Sequence, residues 1–94
     1  MPPCPKVRRV ADPLLVDRVR SLGVCMLSGM GECWGGLDVH HIHGRGAGGG
    51  DLEDNLLLVC RGHHVKCHAG LISRDDQRSA VRRFYYRFTN DPWR

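Results

Sequence analysis

The sequence predicts a small α+β domain in which two short strands lie between helices. Two apolar runs, LDVHHI at residues 37–42 and NLLLVC at residues 55–60, are bounded by turn signals and are short enough for strands. Residues 12–23 and 73–88 begin instead with side chains that cap helices. A chain of 94 residues has the size of one domain. We therefore expect a single domain over residues 1–94.

A basic arm is predicted to precede the first helix. Residues 1–11, MPPCPKVRRVA, contain three prolines and three basic residues and show no periodicity. Asp12 can then cap a helix, and Pro13 suits its first turn. Gly23 marks the end of this helix, and the apolar residues expected to cover the core are Leu14, Leu15, Val16, Val19 and Leu22.

The centre of the predicted domain lies at residues 25–68. Its first strand ends in histidines, a glycine-rich loop follows at residues 44–50, and the second strand is a continuous apolar run. A helix can begin directly after that second strand. On such a helix His64 and His68, which are spaced i and i+4, share one face, so their side chains would converge on one point.

Composition and charge favour a metal-binding protein. Only 6% of the residues are aromatic, and so thin a core would gain stability from a structural metal ion. Five cysteines, an odd number, without a secretory signal favour metal ligation in a reducing cytosol over disulfides. The formal charge of +4 makes a polyanion a reasonable partner. No apolar run reaches the roughly 18 residues of a membrane span, so we expect a soluble, cytoplasmic protein.

All six histidines lie between Asp38 and His68. His40 and His41 are neighbours on a predicted strand, where consecutive side chains point to opposite faces, so the two are expected to do different work. One can bind a metal ion together with His64 and His68, while the other faces a water molecule or substrate close to that ion. Three protein ligands leave coordination positions open, which is typical of catalytic metal sites.

The same segment resembles a known family of nucleases. HHI at residues 40–42 is followed by the loop GRGAGGG at residues 44–50, by Asn55, by His64 nine residues further on, and by His68. In this joint pattern the segment from residue 25 to 68 is similar to the HNH (His-Asn-His) endonucleases with a ββα-metal (His-Me finger) fold. Among them, it most resembles the small phage and mobile-element members. The fold expected from the resemblance is this ββα-metal unit with flanking N- and C-terminal helices.

The resemblance implies a function and a role for each of these residues. It implies a metal-dependent endonuclease that hydrolyses DNA phosphodiester bonds and nicks one strand per active site. His41 is implied to be the general base, and Asn55 to orient the loop backbone that carries it. His40, His64 and His68 are implied to hold one catalytic divalent ion, with Mn, Ni, Co, Zn and Mg all left open. Asp38, two residues before His40, is a candidate for orienting that ligand.

The cysteines suggest a second, structural metal site. Members of the family often carry two C-x2-C pairs that bind a structural zinc ion. This chain departs from that pattern, because seven residues separate Cys25 from Cys33 and the later pair is Cys60-x2-His63. Histidine is an acceptable zinc ligand, so the implied set is these four residues. Cys67 is the alternative fourth ligand, and a cluster of buried thiols without metal is the other interpretation.

The last helix and the glycine loop supply candidate DNA contacts. Ser73 and Asp76 have the spacing of a capping box, which predicts the helix at residues 73–88. Arg45 could clamp the scissile phosphate, and the basic side chains of the last helix that could follow the DNA backbone include Arg82 and Arg83.

The sequence leaves open how many copies of the chain bind DNA together and whether the protein cuts the nucleic acid that it binds. We expect DNA to be bound mainly through its backbone with weak sequence preference, by a monomer or a dimer. The rival interpretation is a zinc-binding module that grips nucleic acid without cutting it. Binding without catalysis would not require that His40, His64 and His68 converge next to His41.

Overall fold

The computed structural model describes residues 10–89, an α+β arrangement of three helices and a two-stranded antiparallel sheet. Helix α1 spans Pro13–Arg20, strand β1 Leu37–His41 and strand β2 Leu56–Cys60. Helix α2, Arg61–His68, follows β2 directly, and α3 spans Arg74–Thr89. The predicted α+β class is therefore confirmed. Most of the predicted basic arm, including its lysine and both arginines, lies outside the described residues.

Helix α1 is shorter than predicted. The side chain of Asp12 caps it by accepting a hydrogen bond from the N–H of Leu15 at 3.1 Å, as expected. The helix ends at Arg20 because the next residues form a tight turn, and Gly23 then adopts a positive φ of 71°. Leu14 is 76% exposed, so its predicted place on the core face was wrong.

Strand β2 lies at the centre of the fold and is buried on both faces. All five of its residues are buried, which is what a short continuous apolar run indicates. Leu57 and Val59 pack with one group of buried residues that includes Ile42 and Val81. Leu56 and Leu58 pack on the other face with Val19 of α1. At about 2 kcal/mol per buried leucine, this strand anchors the whole domain.

The strand register decides where the histidines point. In the antiparallel pair, His40 lies opposite Leu57 and His41 lies opposite Leu56. Residues that face each other across a sheet project on the same side, and consecutive residues project on opposite sides. His40 therefore shares the face of β2 that packs against α3, whereas His41 shares the face covered by α1.

Two further elements differ slightly from the predictions. The glycine loop contains one 3-10 turn at Arg45–Ala47, although the sequence predicted no regular structure there. Asn55 ends another 3-10 turn, Glu53–Asn55, so β2 begins one residue later than predicted. Helix α3 begins after Ser73, whose hydroxyl accepts a hydrogen bond from the N–H of Asp76 at 3.0 Å.

In the part of the chain described, no helix combines the length and the apolar character needed to cross a bilayer.

Candidate metal centres and their surroundings

Three imidazole rings meet where β1, α2 and α3 come together. His64 and His68 lie one turn apart on α2, and their Nε2 atoms are 3.1 Å apart. The ring of His40 lies edge-on to both, with its centroid 5.1 Å from each of theirs. One ring nitrogen from each of the three lies within 4.8 Å of the other two. The structure thus brings together the three histidines that the sequence assigned to one ion.

Gln77 holds His40 in this cluster. The Nε2 atom of His40 lies 3.0 Å from Oε1 of Gln77, and the amide of Gln77 donates to the carbonyl of Ile72 at 2.9 Å. The amide oxygen can only accept, so Nε2 of His40 carries the hydrogen and Nδ1 carries the lone pair. Burial, and then the nearby His64 and His68, lower the pKa of His40 to about 4. The lowered pKa favours the neutral imidazole of His40, which is the form that can bind a metal ion.

Asp38 orients His64, which corrects the expectation that it would orient His40. One carboxylate oxygen of Asp38 lies 3.1 Å from Nδ1 of His64 and 2.8 Å from Nε of Arg61. The pKa of Asp38 is lowered by the hydrogen bond from Arg61 and then by that from His64. The sequence separated these partners by more than twenty residues, and strand alternation fixes a face but not a partner. The acceptor at Nδ1 leaves Nε2 of His64 as the nitrogen available to a metal ion.

The three histidines suit a divalent ion that has open coordination positions. Imidazole nitrogen favours Zn, Ni, Co and related ions over Mg, and two of the rings already have oxygen partners on their other nitrogen. Such partners are usual for metal-binding histidines because they fix the tautomer and the ring angle. His40 is buried, His64 is half-buried and His68 is exposed. The cluster is therefore buried on the side of His40 and accessible to solvent on the side of His68.

His41 occupies a different environment on the opposite face of β1. Its Nε2 atom lies 2.7 Å from Oδ1 of Asp51, and the two side chains are 12% and 7% exposed. Asp51 follows the glycine run directly and is also bonded to the start of α1 through the N–H of Asp12 at 2.8 Å. No sequence pattern predicts this contact, because a single aspartate after a glycine loop has many possible partners.

Asn55 fastens the two ends of the glycine loop. Its side-chain oxygen accepts from the N–H of His43 at 2.7 Å, and its amide donates to the carbonyls of His43 and Gly50 at 3.2 and 2.9 Å. Its own carbonyl accepts from the N–H of Ile42 at 3.0 Å. These are hydrogen bonds to the loop backbone of the kind the resemblance implied. The loop that begins after His41 is thereby fixed at both ends.

Close backbone approach explains one glycine of this loop. A Cβ atom on Gly49 would lie 1.7 Å from the carbonyl oxygen of His43, a contact that no side chain can adopt. The N–H of Gly49 donates to the carbonyl of Gly44 at 2.9 Å. The glycine run therefore lets the chain fold back on itself beside the histidine strand. The sequence predicted the loop, but not this reason for its composition.

A second cluster of potential metal ligands lies at the N-terminus of α2. The Nδ1 atom of His63 lies 3.1 Å from the sulphur of Cys60, 3.4 Å from that of Cys25 and 3.6 Å from that of Cys33. All four ligand atoms lie within 4.8 Å of one another. Cys33 is exposed and the other three residues are buried. This Cys3His cluster could hold a metal ion such as zinc, and it contains the four residues that the sequence assigned.

The surroundings of Cys60 favour its thiolate, the form that binds metal. Burial opposes the charge, but the hydrogen bonds from the backbone N–H groups of His63 and Trp34, together with the hydrogen bond from Cys33 and the charge of His63, lower the pKa to about 6. The same sulphur caps α2, with His63 N–H at 3.4 Å. The buried Nε2 of His63 has no hydrogen-bond partner among the described residues. The ring thus directs Nδ1 toward the three sulphur atoms of the cluster.

Two glycines allow the chain to close around this cluster. Gly35 has a φ of 78°, and a Cβ atom there would lie 2.5 Å from Cβ of Arg61. A Cβ atom on Gly62 would lie 2.4 Å from the indole nitrogen of Trp34. Backbone hydrogen bonds from Arg61 to Gly36 and from Gly62 to Trp34, at 2.9 and 3.1 Å, join the two segments. This turn brings Cys33 to Cys60 in spite of the long spacing that separates Cys25 from Cys33.

Cys67, the alternative fourth ligand, stands outside the Cys3His cluster that the described residues form. Burial, followed by the nearby Cys25, raises the pKa of its thiol to about 11. Its side chain packs in the hydrophobic core with residues such as Ile72. The fourth position of the cluster therefore belongs to His63.

The predicted DNA contacts are exposed but are not gathered at one place. Arg45 lies in the turn of the glycine loop. Arg82 and Arg83 border an open groove between α3 and the segment at residues 24–30. Two further arginines, Arg20 and Arg61, line a cleft beside His64, and the sequence did not single them out.

Comparison with protein-family profiles, with curated proteins and with solved structures found no match.

Proposed function

We propose that this protein is a metal-dependent endonuclease of the HNH type, with a ββα-metal unit that hydrolyses phosphodiester bonds in DNA. The observation that carries the proposal is the convergence of ring nitrogens of His40, His64 and His68 within 4.8 Å, while His41, the next residue of β1, projects from the opposite face of the strand. A structural role alone would need neither an open cluster of three imidazoles nor a neighbouring histidine whose orientation is fixed. The order β1, glycine loop, β2, α2 supports the same assignment.

In this proposal each histidine has a distinct task. An ion held by His40, His64 and His68 would stabilise the negative charge that develops on the phosphate and on the leaving oxygen. His41 takes the proton of the water molecule that attacks the phosphorus. Asn55 keeps the loop after His41 in place through its three side-chain hydrogen bonds. One such centre cuts one strand, so nicked DNA is the first product.

The Cys3His cluster has a structural task in this proposal. Its four ligands would close the coordination sphere of a zinc ion, which leaves no position for water or substrate. It links the segment at residues 25–33 to the N-terminus of α2, the helix that carries His64 and His68. Zinc at this cluster would therefore hold α2 in the position that the histidine cluster requires.

A plasmid assay tests the proposal. The full chain should convert supercoiled plasmid to the nicked circle when Mn, Ni, Co, Zn or Mg ions are added, and a chelator should stop the reaction. His64→Ala should lower the rate by roughly 10²-fold or more, because the ion loses a ligand. His43→Ala is the matched control, since it removes an exposed imidazole from the same protein, and it should cut at nearly the wild-type rate.

The rival function is a zinc-dependent nucleic-acid-binding module without catalysis. The Cys3His cluster favours it, because such clusters are frequent in purely structural zinc sites. A folded, zinc-containing protein that retards DNA in gels but leaves the plasmid supercoiled with each of the five ions would establish this module and reject the endonuclease. Nicking by wild type that is equally fast in His64→Ala would point to a contaminating nuclease.

DNA binding is predicted to depend on backbone phosphates. Replacement of both Arg82 and Arg83 by glutamine should make the plot of log affinity against log salt flatter by about 0.9 for each lost phosphate contact. Binding should weaken equally for unrelated duplexes. Fluorescence anisotropy over a salt series measures both effects. Arg74→Gln, at the start of the same helix, is the matched control. If the salt slope is unchanged, or if the preference for one duplex changes, Arg82 and Arg83 do not bind backbone phosphates.

A further inference from the structure

We infer that Asp51 is a positioning residue, which orients the imidazole of His41 so that Nδ1 receives the proton of the attacking water. The inference rests on the proposed endonuclease function and adds to it a residue that the HNH pattern did not supply. It also names the nitrogen that acts as the base.

The contact between the two side chains fixes the tautomer of His41. Nε2 of His41 lies 2.7 Å from Oδ1 of Asp51, and both side chains are largely buried. An ionised carboxylate has no hydrogen to donate, so the hydrogen between the two atoms belongs to Nε2. The neutral imidazole then carries its lone pair on Nδ1. A base without such a partner would divide its population between two tautomers, and only one of them could act.

Asp51 is itself held by the backbone at the start of α1. Its second oxygen, Oδ2, accepts a hydrogen bond from the N–H of Asp12 at 2.8 Å. Its own N–H donates to the carbonyl of Val10 at 2.8 Å. The preceding Gly50 packs so closely that an added Cβ atom would lie 3.0 Å from Cβ of Val10, and Asn55 donates to the carbonyl of Gly50 at 2.9 Å. The carboxylate therefore has a fixed direction.

The proton balance of the step follows from this geometry. The water oxygen forms a bond to phosphorus while one of its protons passes to Nδ1 of His41. The bond from phosphorus to the leaving ester oxygen breaks, and its electron pair stays on that oxygen, which takes a proton from solvent. His41 is then a cation with hydrogen on both nitrogens, and the negative charge of Asp51, still bonded to Nε2, stabilises it. The proton returns to solvent before the next cycle.

Asp51→Asn is the most informative variant because it changes hydrogen-bond polarity without changing shape. In the wild-type protein, Asp51 accepts a hydrogen bond at each carboxylate oxygen, one from His41 and one from the N–H of Asp12. An asparagine can accept at only one of these positions. When its oxygen faces the N–H of Asp12, its amide donates to Nε2 of His41 and moves the ring hydrogen to Nδ1, which blocks the base. Asp54→Asn, an exposed acid of the same loop, makes the same charge change and is the matched control.

The test combines nicking rates with the ring nitrogen resonances of the full chain. In wild type, two-bond proton–nitrogen correlations should show His41 as the Nε2–H tautomer. Asp51→Asn should shift His41 toward Nδ1–H and lower the single-turnover nicking rate by roughly 10²-fold or more, with metal affinity unchanged. Asp54→Asn should keep the wild-type tautomer and rate. If Asp51→Asn does not fold, the wild-type tautomer decides the question.

The outcomes separate this inference from the proposed function. An Nδ1–H tautomer in wild type, or wild-type nicking by a folded Asp51→Asn protein, would overturn the role of Asp51 and leave the endonuclease proposal intact. A wild-type chain that shows the Nε2–H tautomer but nicks no plasmid with any ion would overturn the endonuclease, and the proton-transfer role with it. The tautomer shift together with the rate loss supports both.

Discussion

Replacing Cys60 with alanine is expected to abolish tight zinc binding and to lower the free energy of unfolding by about 5 kcal/mol or more. Zinc bound at closed sites in small domains contributes apparent free energies of about 10–16 kcal/mol. A domain of this size has a total stability of roughly 5–15 kcal/mol. Cys60 also caps α2 through its sulphur, so the substitution removes a metal ligand and a helix cap together. The variant should be largely unfolded.

Cys67→Ala is the matched control for this experiment. It also removes one sulphur atom from a buried cysteine, but Cys67 lies within α2 and outside the Cys3His cluster. Its expected effect is about 1 kcal/mol, which is usual for a small core truncation. Zinc analysis after gel filtration, together with thermal unfolding of both variants, measures the difference. Equal melting temperatures, with no tightly bound zinc in the wild type or in either variant, would show that the cluster is a set of thiols without metal.

The helices and strands could be predicted from the sequence because the caps and apolar runs that mark them are local. Asp12 and Ser73 cap the helices that they were predicted to begin, and the apolar run at residues 56–60 is the buried strand. The end of α1 and the exposure of Leu14 were missed, since both depend on what packs against the helix. A periodic pattern shows that an apolar face exists, but only the tertiary contacts show how far that face extends.

The candidate ligands of both clusters and His41 could also be predicted from the sequence, whereas the residues that contact and orient them could not. His64 and His68 follow helical spacing, and histidine and cysteine are the side chains that most often bind zinc. Gln77, Asp51 and Trp34 belong to residue types with many roles, and Gln77 and Asp51 act on histidines 37 and 10 positions away. Their function arises only when the chain is folded, so no local pattern marks them. The Asp38 expectation failed for the same reason.

His41→Ala is expected to lower the nicking rate by about 10²- to 10⁴-fold while metal affinity stays close to wild type. The physical reason is the strand register, which directs His41 toward Asp51 and His40 toward the cluster with His64 and His68. Removal of His41 takes away the proton acceptor and leaves the three ligand nitrogens in place. The variant should therefore lose activity without losing the ion.

His40→Ala should give the complementary result. It removes a ligand nitrogen and breaks the hydrogen bond to Gln77, so metal affinity should fall by about 10- to 100-fold or more. The nicking rate of His40→Ala should recover in part at high metal concentration, whereas that of His41→Ala should not recover at all. Titration of each folded variant with Co or Ni ions by calorimetry, beside single-turnover nicking, measures both quantities. If His41→Ala loses the metal ion and His40→Ala keeps it, the two roles are exchanged; if neither variant changes metal affinity, the ion is bound elsewhere and the histidine cluster is not its site.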